Sequence, residues 1–226
     1  MVKKISLLGM EIDNYTTQEA LERVEAFMEA DRFDTIGTIT MKVLDAGESN
    51  PTVRSCIENL SLAILGDVEI LHAVGLDNAD RRSEIKNRLF FSEFMKRVLR
   101  NHKTVYLLAD TPERLALLRS FLEASYEELL LIGGYALEDV GNDWDAVVNE
   151  INAAAPDLVL SAIATPVQEE FLMRNFRRLG IRLWYGLSDR DFLPKRQKRM
   201  LPRIGKGVIG FFWKRRVKSY EQPSSK

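Results

Sequence analysis

The chain has 226 residues, 46% of them hydrophobic and 29% charged, with a formal net charge of -1. That length and balance suit one sizeable α/β domain with an appendage, or two small domains, and they exclude a disordered or fibrous chain. One cysteine, Cys56, and two histidines, His72 and His102, exclude an intramolecular disulfide and a cysteine zinc cluster, argue against a His-rich metal site and point to a reducing compartment.

In chain order, "MVKKISLLGMEID" joins two lysines to an apolar stretch that Glu11 cuts short, too brief for a signal-peptide core. No uninterrupted apolar segment approaches the roughly 18 residues that cross a bilayer, so a cytoplasmic protein is expected. The first predicted strand is Ile5–Met10. Thr16-Thr17-Gln18-Glu19 is a capping box, followed by Leu21, Val24 and Phe27-Met28 on one helical face. Strands follow at Asp34–Thr40, Leu60–Leu65 and Thr104–Ala109. Thr111-Pro112 places a cap and then proline at the first helical position, ahead of Leu115, Leu118 and Phe121-Leu122. A strand at Leu129–Gly133 and a helix from Asp143, carrying Val147, Val148 and Ile151, come next. Leu158–Ala164 is a further strand. Thr165-Pro166-Val167-Gln168 then starts a helix with Phe171, Leu172, Phe176 and Leu179, and the last strand is Arg182–Gly186. Several strands are continuously apolar, as in a parallel sheet covered on both faces. The alternation predicts a mainly parallel, doubly wound, Rossmann-like α/β sheet flanked by helices, with ligands at the carboxyl ends of its strands.

Charge is segregated along the chain. Between Lys195 and Lys218 there are ten basic residues and no acidic one, whereas residues 1–194 carry 21 basic and 32 acidic groups, a net of -11. A boundary is therefore placed at Phe192-Leu193-Pro194, dividing a core of residues 1–194 from a basic C-terminal appendage of residues 195–226 that meets an anion. An otherwise acidic body argues against nucleic acid as that anion.

The usual phosphate loops are missing: there is no GxGxxG after a strand and no Walker lysine loop. Asp189-Arg190-Asp191 has the form of a metal-holding aspartate pair, but such patterns are common by chance and the plain reading is a solvated turn. Two compatible readings attach to Thr165–Gln168. In one, Thr165 caps the helix and Gln168 completes the box. In the other, the helix start at a strand's carboxyl end holds a phosphate and Gln168 bonds a ligand.

"PDLVLSAIATPVQEEFL" resembles the "PDlvlVglGsPkQEkw" segment of the WecG/TagA/CpsF glycosyltransferases. Other parts match in the same order. "TITMKVLDA" is similar to "TxNxEyvxxA", "LSLAILGDV" to "ADLvxPDGxG", "NRLFFSEFM" to "eRvxGxDlm", "VYLLADTPE" to "vfLLGgkpg", and "GLSDRDFL" to "GVGGxFDfl". "FFWKRRVKSY" is similar to the arginine-bearing tail "LEWlyRL…R". The resemblance spans nearly the whole chain.

The resemblance implies transfer of a sugar, an N-acetylmannosamine or another hexose, from a UDP-sugar to a polyprenyl-diphosphate-linked acceptor in teichoic acid, capsule or exopolysaccharide synthesis. It implies inversion at the anomeric carbon, no cofactor and no metal, with the UDP-sugar as substrate. It also implies a compact core, possible self-association, and a basic tail that meets the anionic inner face of the cell membrane and closes the site. Residue by residue it makes Asp67 the general base, gives Thr38 and Gln168 catalytic positions, and assigns substrate contacts to Thr40, Arg88, Glu169, Asp191, Arg215 and Arg216. Departures keep a second reading open, a non-catalytic nucleotide-sugar-binding member. Thr40 stands for an asparagine, Lys42 for a glutamate, Ser188 for a glycine, and Asp67 lies one residue beyond the family's "PDG" aspartate. A one-residue shift at a strand end turns a side chain to the other face unless the loop is rebuilt, which Gly66 would permit. Without that base the remaining role is binding, or an interaction scaffold whose working part is the tail.

Overall fold

A computed structural model describes residues 3–193 except Asn142. The chain opens with a hairpin, β1 (Lys4–Leu7) and β2 (Met10–Asp13), paired antiparallel through a two-residue turn at Leu8-Gly9, both at positive φ. The single strand expected over Ile5–Met10 is thus two. Glycine at the second turn position supplies the left-handed backbone that such a hairpin needs, and Leu8 adopts it at φ 53°.

The main chain order is then α1 (Thr17–Glu29), β3 (Asp34–Ile39), α2 (Met41–Ser49), α3 (Pro51–Glu58), β4 (Leu62–Leu65), α4 (Val68–Ala73), α5 (Ala79–Asn87), α6 (Leu89–Arg100) and β5 (Thr104–Ala109). It continues through α7 (Pro112–Ser125), β6 (Leu130–Ala136), a 3-10 turn at Leu137–Val140, α8 (Trp144–Ala154), β7 (Leu158–Ala162), α9 (Val167–Asn175), β8 (Leu183–Gly186) and α10 (Asp189–Phe192). The caps read from sequence hold at three helices. Thr16 and Glu19 close a capping box at α1, Thr111 accepts from Arg114 N ahead of Pro112, and Asp143 accepts from Ala146 N at α8. At α9 the expectation is corrected. Pro166 occupies the cap position after a cis Thr165–Pro166 bond, and Thr165 Oγ1 instead donates to Glu169 Oε1 at 3.0 Å.

Strands β3 to β8 form one parallel sheet in the order β4-β3-β8-β7-β5-β6. The chain runs outward from β3 to β4, crosses to β5 and β6, and returns so that β8 slots between β3 and β7. The direction of winding therefore reverses beside β3, where an open parallel sheet leaves a crevice above its carboxyl ends. One sheet face, with Ile36, Leu107, Leu160 and Tyr185, packs on α1, α6 and α7; the other, with Tyr106, Leu108, Val159 and Trp184, packs on α8 and α9. A third apolar cluster joins the hairpin, α2 and α4 to the β4 side, where Asp13 Oδ2 accepts the Ala63 N–H at 2.9 Å and so satisfies a donor on an edge strand.

Candidate active site

The carboxyl ends of β3, β4, β7 and β8 surround an open cleft of about 790 Å³, part of it continuous with solvent. Thr38, Thr40, Asp67 and Gln168 all line it, together with Lys42, Arg114, Ser188, Asp189 and Arg190. Four of the residues singled out in sequence are thus brought together at one rim.

Asp67 faces the cleft despite its displaced register. Strand β4 ends at Leu65, and Gly66 N–H bonds Ile39 O at 2.7 Å, extending the ladder by one bond. Strand alternation no longer governs the next residue, and the Asp67 carboxylate is drawn by its partners. Its Oδ2 accepts the Met41 N–H at 2.8 Å, and its Oδ1 lies 2.7 Å from Arg190 Nη2. The carboxylate thus satisfies one of the unpaired donors at the start of α2, where a negative charge is favoured. Gly66 is needed for space, since it is not among the positive-φ residues. A Cβ there would fall 2.7 Å from Thr38 Cγ2 and 3.2 Å from Ile39 O.

Thr40 is the N-cap of α2, its Oγ1 accepting from Val43 N at 3.3 Å. Thr38 sits one step deeper, its hydroxyl 3.1 Å from the Tyr185 hydroxyl. Gln168 is 8% exposed and lies over Gly186, whose missing side chain makes room for the amide. Its Oε1 is buried with no hydrogen-bond partner among the described residues, and the residue lines both the cleft and the pocket behind it beside Cys56.

Three expected site residues stand elsewhere. Arg88 lines a smaller neighbouring cavity and donates to Asp191 O at 3.3 Å and Leu193 O at 3.0 Å, clamping the end of α10 to the junction of α5 and α6. Asp191 lines the same cavity and closes a capping box, accepting from Ser188 N at 2.7 Å and Ser188 Oγ at 2.8 Å. Burial pushes the Asp191 carboxyl upward, opposed by Ser188, Thr38 and the Arg88 charge. Glu169 turns inward to a pocket shared with Cys56 and Leu172. Burial raises its carboxyl as well, against the hydrogen bonds of its own backbone N–H, Thr165 and Gln168 and the charge of Lys42. Asp189-Arg190-Asp191 is a short helix, not a solvated turn. Asp189 pairs with Arg114 at the cleft while Asp191 points into the other cavity. No cluster of metal-ligating side chains occurs among the described residues. Arg215 and Arg216 lie outside the described residues.

Sequence reasoning gave no site role to Lys42, Arg114 or Arg190, the cations that the fold delivers to the cleft. Arg114 bonds Ala162 O and Asp189, sits 3.3 Å from Asp110 and covers the Phe192 ring, so it braces the β7 and α10 walls. A phosphate-loop search could not find these three, because they come from three separate helices. The arrangement offers a carboxylate, an amide, hydroxyls and cations around a space open to an anionic substrate.

The family model for glycosyl transferases of the WecG/TagA/CpsF family matches residues 5–213. The N-acetylglucosaminyldiphosphoundecaprenol N-acetyl-beta-D-mannosaminyltransferases of Staphylococcus aureus strains NCTC 8325 / PS 47, COL and N315 are each similar to this chain. The identity is 22% over 177 residues, covering 76% of this chain and 68% of the relative.

Proposed function

Because this chain belongs to the WecG/TagA/CpsF family of glycosyl transferases, we propose that it moves N-acetylmannosamine from a UDP-sugar to the N-acetylglucosamine of a polyprenyl-diphosphate-linked acceptor. The observation that supports this reading is the meeting of Thr38, Asp67 and Gln168 with Lys42 and Arg190 in one cleft at the winding reversal of the sheet. The sugars are those in the names of the similar proteins.

An acceptor hydroxyl attacks the anomeric carbon from the side opposite the nucleotide. The new C–O bond forms as the bond from that carbon to the UDP phosphate oxygen breaks, and UDP leaves with the electron pair. Asp67 takes the hydroxyl proton, and the anomeric configuration inverts. Lys42 and Arg190 meet the charge gathering on the diphosphate, where a preorganised cation contributes most, so the reaction needs no metal. Gln168 and Thr40 hold the donor's polar groups. The tail, with Arg215 and Arg216, adds further phosphate contacts and rests on the anionic inner membrane face, each basic residue there contributing about 1 kcal/mol. Among the described residues no helix is long and apolar enough to cross a membrane.

Purified full-length protein is assayed with a panel of UDP-sugars and a short polyprenyl-diphosphate-linked N-acetylglucosamine, alongside UDP calorimetry. Turnover is expected with the N-acetylmannosamine donor. Asp67→Asn is expected to lower kcat by about 10²–10⁴-fold, the usual worth of a general base, while UDP still binds. UDP binding without transfer by the intact protein supports the second reading, a nucleotide-sugar pocket lacking a working base. The double engagement of Asp67 by Met41 and Arg190 is what favours that second reading. Loss of both binding and transfer removes the donor site itself.

A further inference from the structure

The smaller cavity beside Arg88 measures about 510 Å³, partly open to solvent, and shares Thr38 and Arg190 with the cleft. One of its walls is α5, a polar helix capped by Asn78 whose buried residue is Arg81. A buried guanidinium is costly unless its donors are met. Arg81 pairs with Glu84 through Nη1 and donates to Asn14 Oδ1 at 3.4 Å through Nη2, yet its Nε–H is buried with no partner among the described residues. Glu84 uses Oε2 for Arg81 and for the Thr17 N–H at 3.3 Å, and its Oε1 has no partner among the described residues. Both side chains line the cavity, together with the apolar Ala20, Ile64, Ile85 and Phe90. The pair thus sets one spare N–H and one spare carboxylate oxygen on the wall of a partly apolar space. A secondary amide bearing a methyl group presents the complement: a carbonyl, an N–H and an apolar end. An anion suits this space less well than the cleft. Arg88 is already held by the Asp191 and Leu193 carbonyls and Arg81 by Glu84, and two carboxyls, Glu84 and Asp191, line the cavity.

We propose that this cavity is the subsite for the acceptor sugar, and that the Arg81–Glu84 pair selects the acetamido group of an N-acetylhexosamine. This rests on the transferase reading, with the UDP-sugar in the cleft. The acetamido carbonyl accepts from Arg81 Nε–H, its N–H donates to Glu84 Oε1, and its methyl meets Ile85. Because the two spaces share the Thr38 wall, the sugar's hydroxyl approaches the donor from the neighbouring cavity and not from the diphosphate side.

The test combines calorimetry and initial rates on the full-length protein with two short polyprenyl-diphosphate acceptors, one carrying N-acetylglucosamine and one glucose. The wild type is expected to bind the first about ten- to a hundredfold tighter, as for hydrogen bonds to charged groups. Arg81→Lys keeps a cation beside Glu84 but lacks the Nε–H. It is expected to bring the two affinities within about threefold while UDP binds as before. Ile85→Trp narrows the cavity without altering the pair, and is expected to weaken the N-acetylglucosamine acceptor about tenfold and to spare UDP. Equal wild-type affinity for the two acceptors overturns the proposal. So does an Arg81→Lys protein in which both acceptors and UDP weaken alike, the mark of a merely structural residue, or a shift in the KM of the UDP-sugar in place of that of the acceptor. If no UDP-sugar is transferred yet discrimination between the acceptors follows Arg81 and Ile85, the subsite stands and the transferase reading falls. If transfer proceeds and both variants discriminate like the wild type, the transferase reading stands and the subsite falls.

Discussion

At the scale of single residues, Gly186 shows how a small omission builds the cleft. A Cβ there would fall 2.9 Å from Gln168 Nε2 and 3.1 Å from its Cδ, so any side chain pushes the amide aside. Gly186→Ala is expected to keep the fold, at an overpacking cost of about 1–3 kcal/mol, and to weaken UDP binding roughly tenfold in a calorimetric titration. Glu169 makes a prediction with a definite sign. Burial raises its pKa above the ordinary 4.5, so the fold favours the protonated form. Its contribution to stability is fully present below that ordinary value and is lost as pH rises through the raised one. Glutamine keeps a carbonyl for the Thr165 hydroxyl and carries no charge. Denaturant titrations of Glu169→Gln and wild type should therefore diverge in favour of glutamine as pH rises from about 4 to 8. A constant difference would contradict this. The sole cysteine is inert by the same logic: burial, helped by the Glu169 charge, pushes the Cys56 thiol up to about 12. Of these residues the sequence makes Gln168 and Asp67 visible through motif and spacing. It hides Arg190, because a three-residue charged run reads as surface until the fold places its middle member on Asp67.

Among the elements, α6 does most to seat the site. Phe90, Phe91 and Phe94 are buried on one face, and Phe94 meets Tyr185 of β8 edge-on with ring centroids 5.2 Å apart. Tyr185 in turn bonds Thr38, so helix packing is carried directly to the threonine at the rim. Phe94→Ala is expected to cost about 3–5 kcal/mol, read as a fall in denaturation midpoint, and to reduce transfer through a loosened Thr38. Helix and strand existence was legible wherever local chemistry is strong: the capping box at Thr16, the Thr111-Pro112 start and the continuous apolar run of β5. It failed where tertiary contacts choose among local options. The Leu8-Gly9 turn splits one apolar run into a hairpin, its two carbonyls held by the Arg54 guanidinium of α3 and its far end tied to β4 through Asp13. Thr165 gives up its cap to a buried Glu169.

For the molecule as a whole, alternating elements foretold a parallel sheet, but not that β8 would enter between β3 and β7. No local signal encodes that neighbour choice. It decides the site nonetheless, because it sets Ser188, Asp189 and Arg190 beside Thr38 and Asp67. The charge map also takes shape only in the fold. A body of net -11 still collects Lys42, Arg114 and Arg190 at one cleft, ahead of any help from the basic tail. The account stands on that cleft being the nucleotide-sugar site. A crystal structure of the full-length protein with UDP tests it most directly. The account predicts the diphosphate within hydrogen-bond reach of Arg190 and Lys42, with Gln168 on the nucleotide. UDP found elsewhere, for example in the groove beside Arg174 and Phe176, would contradict it.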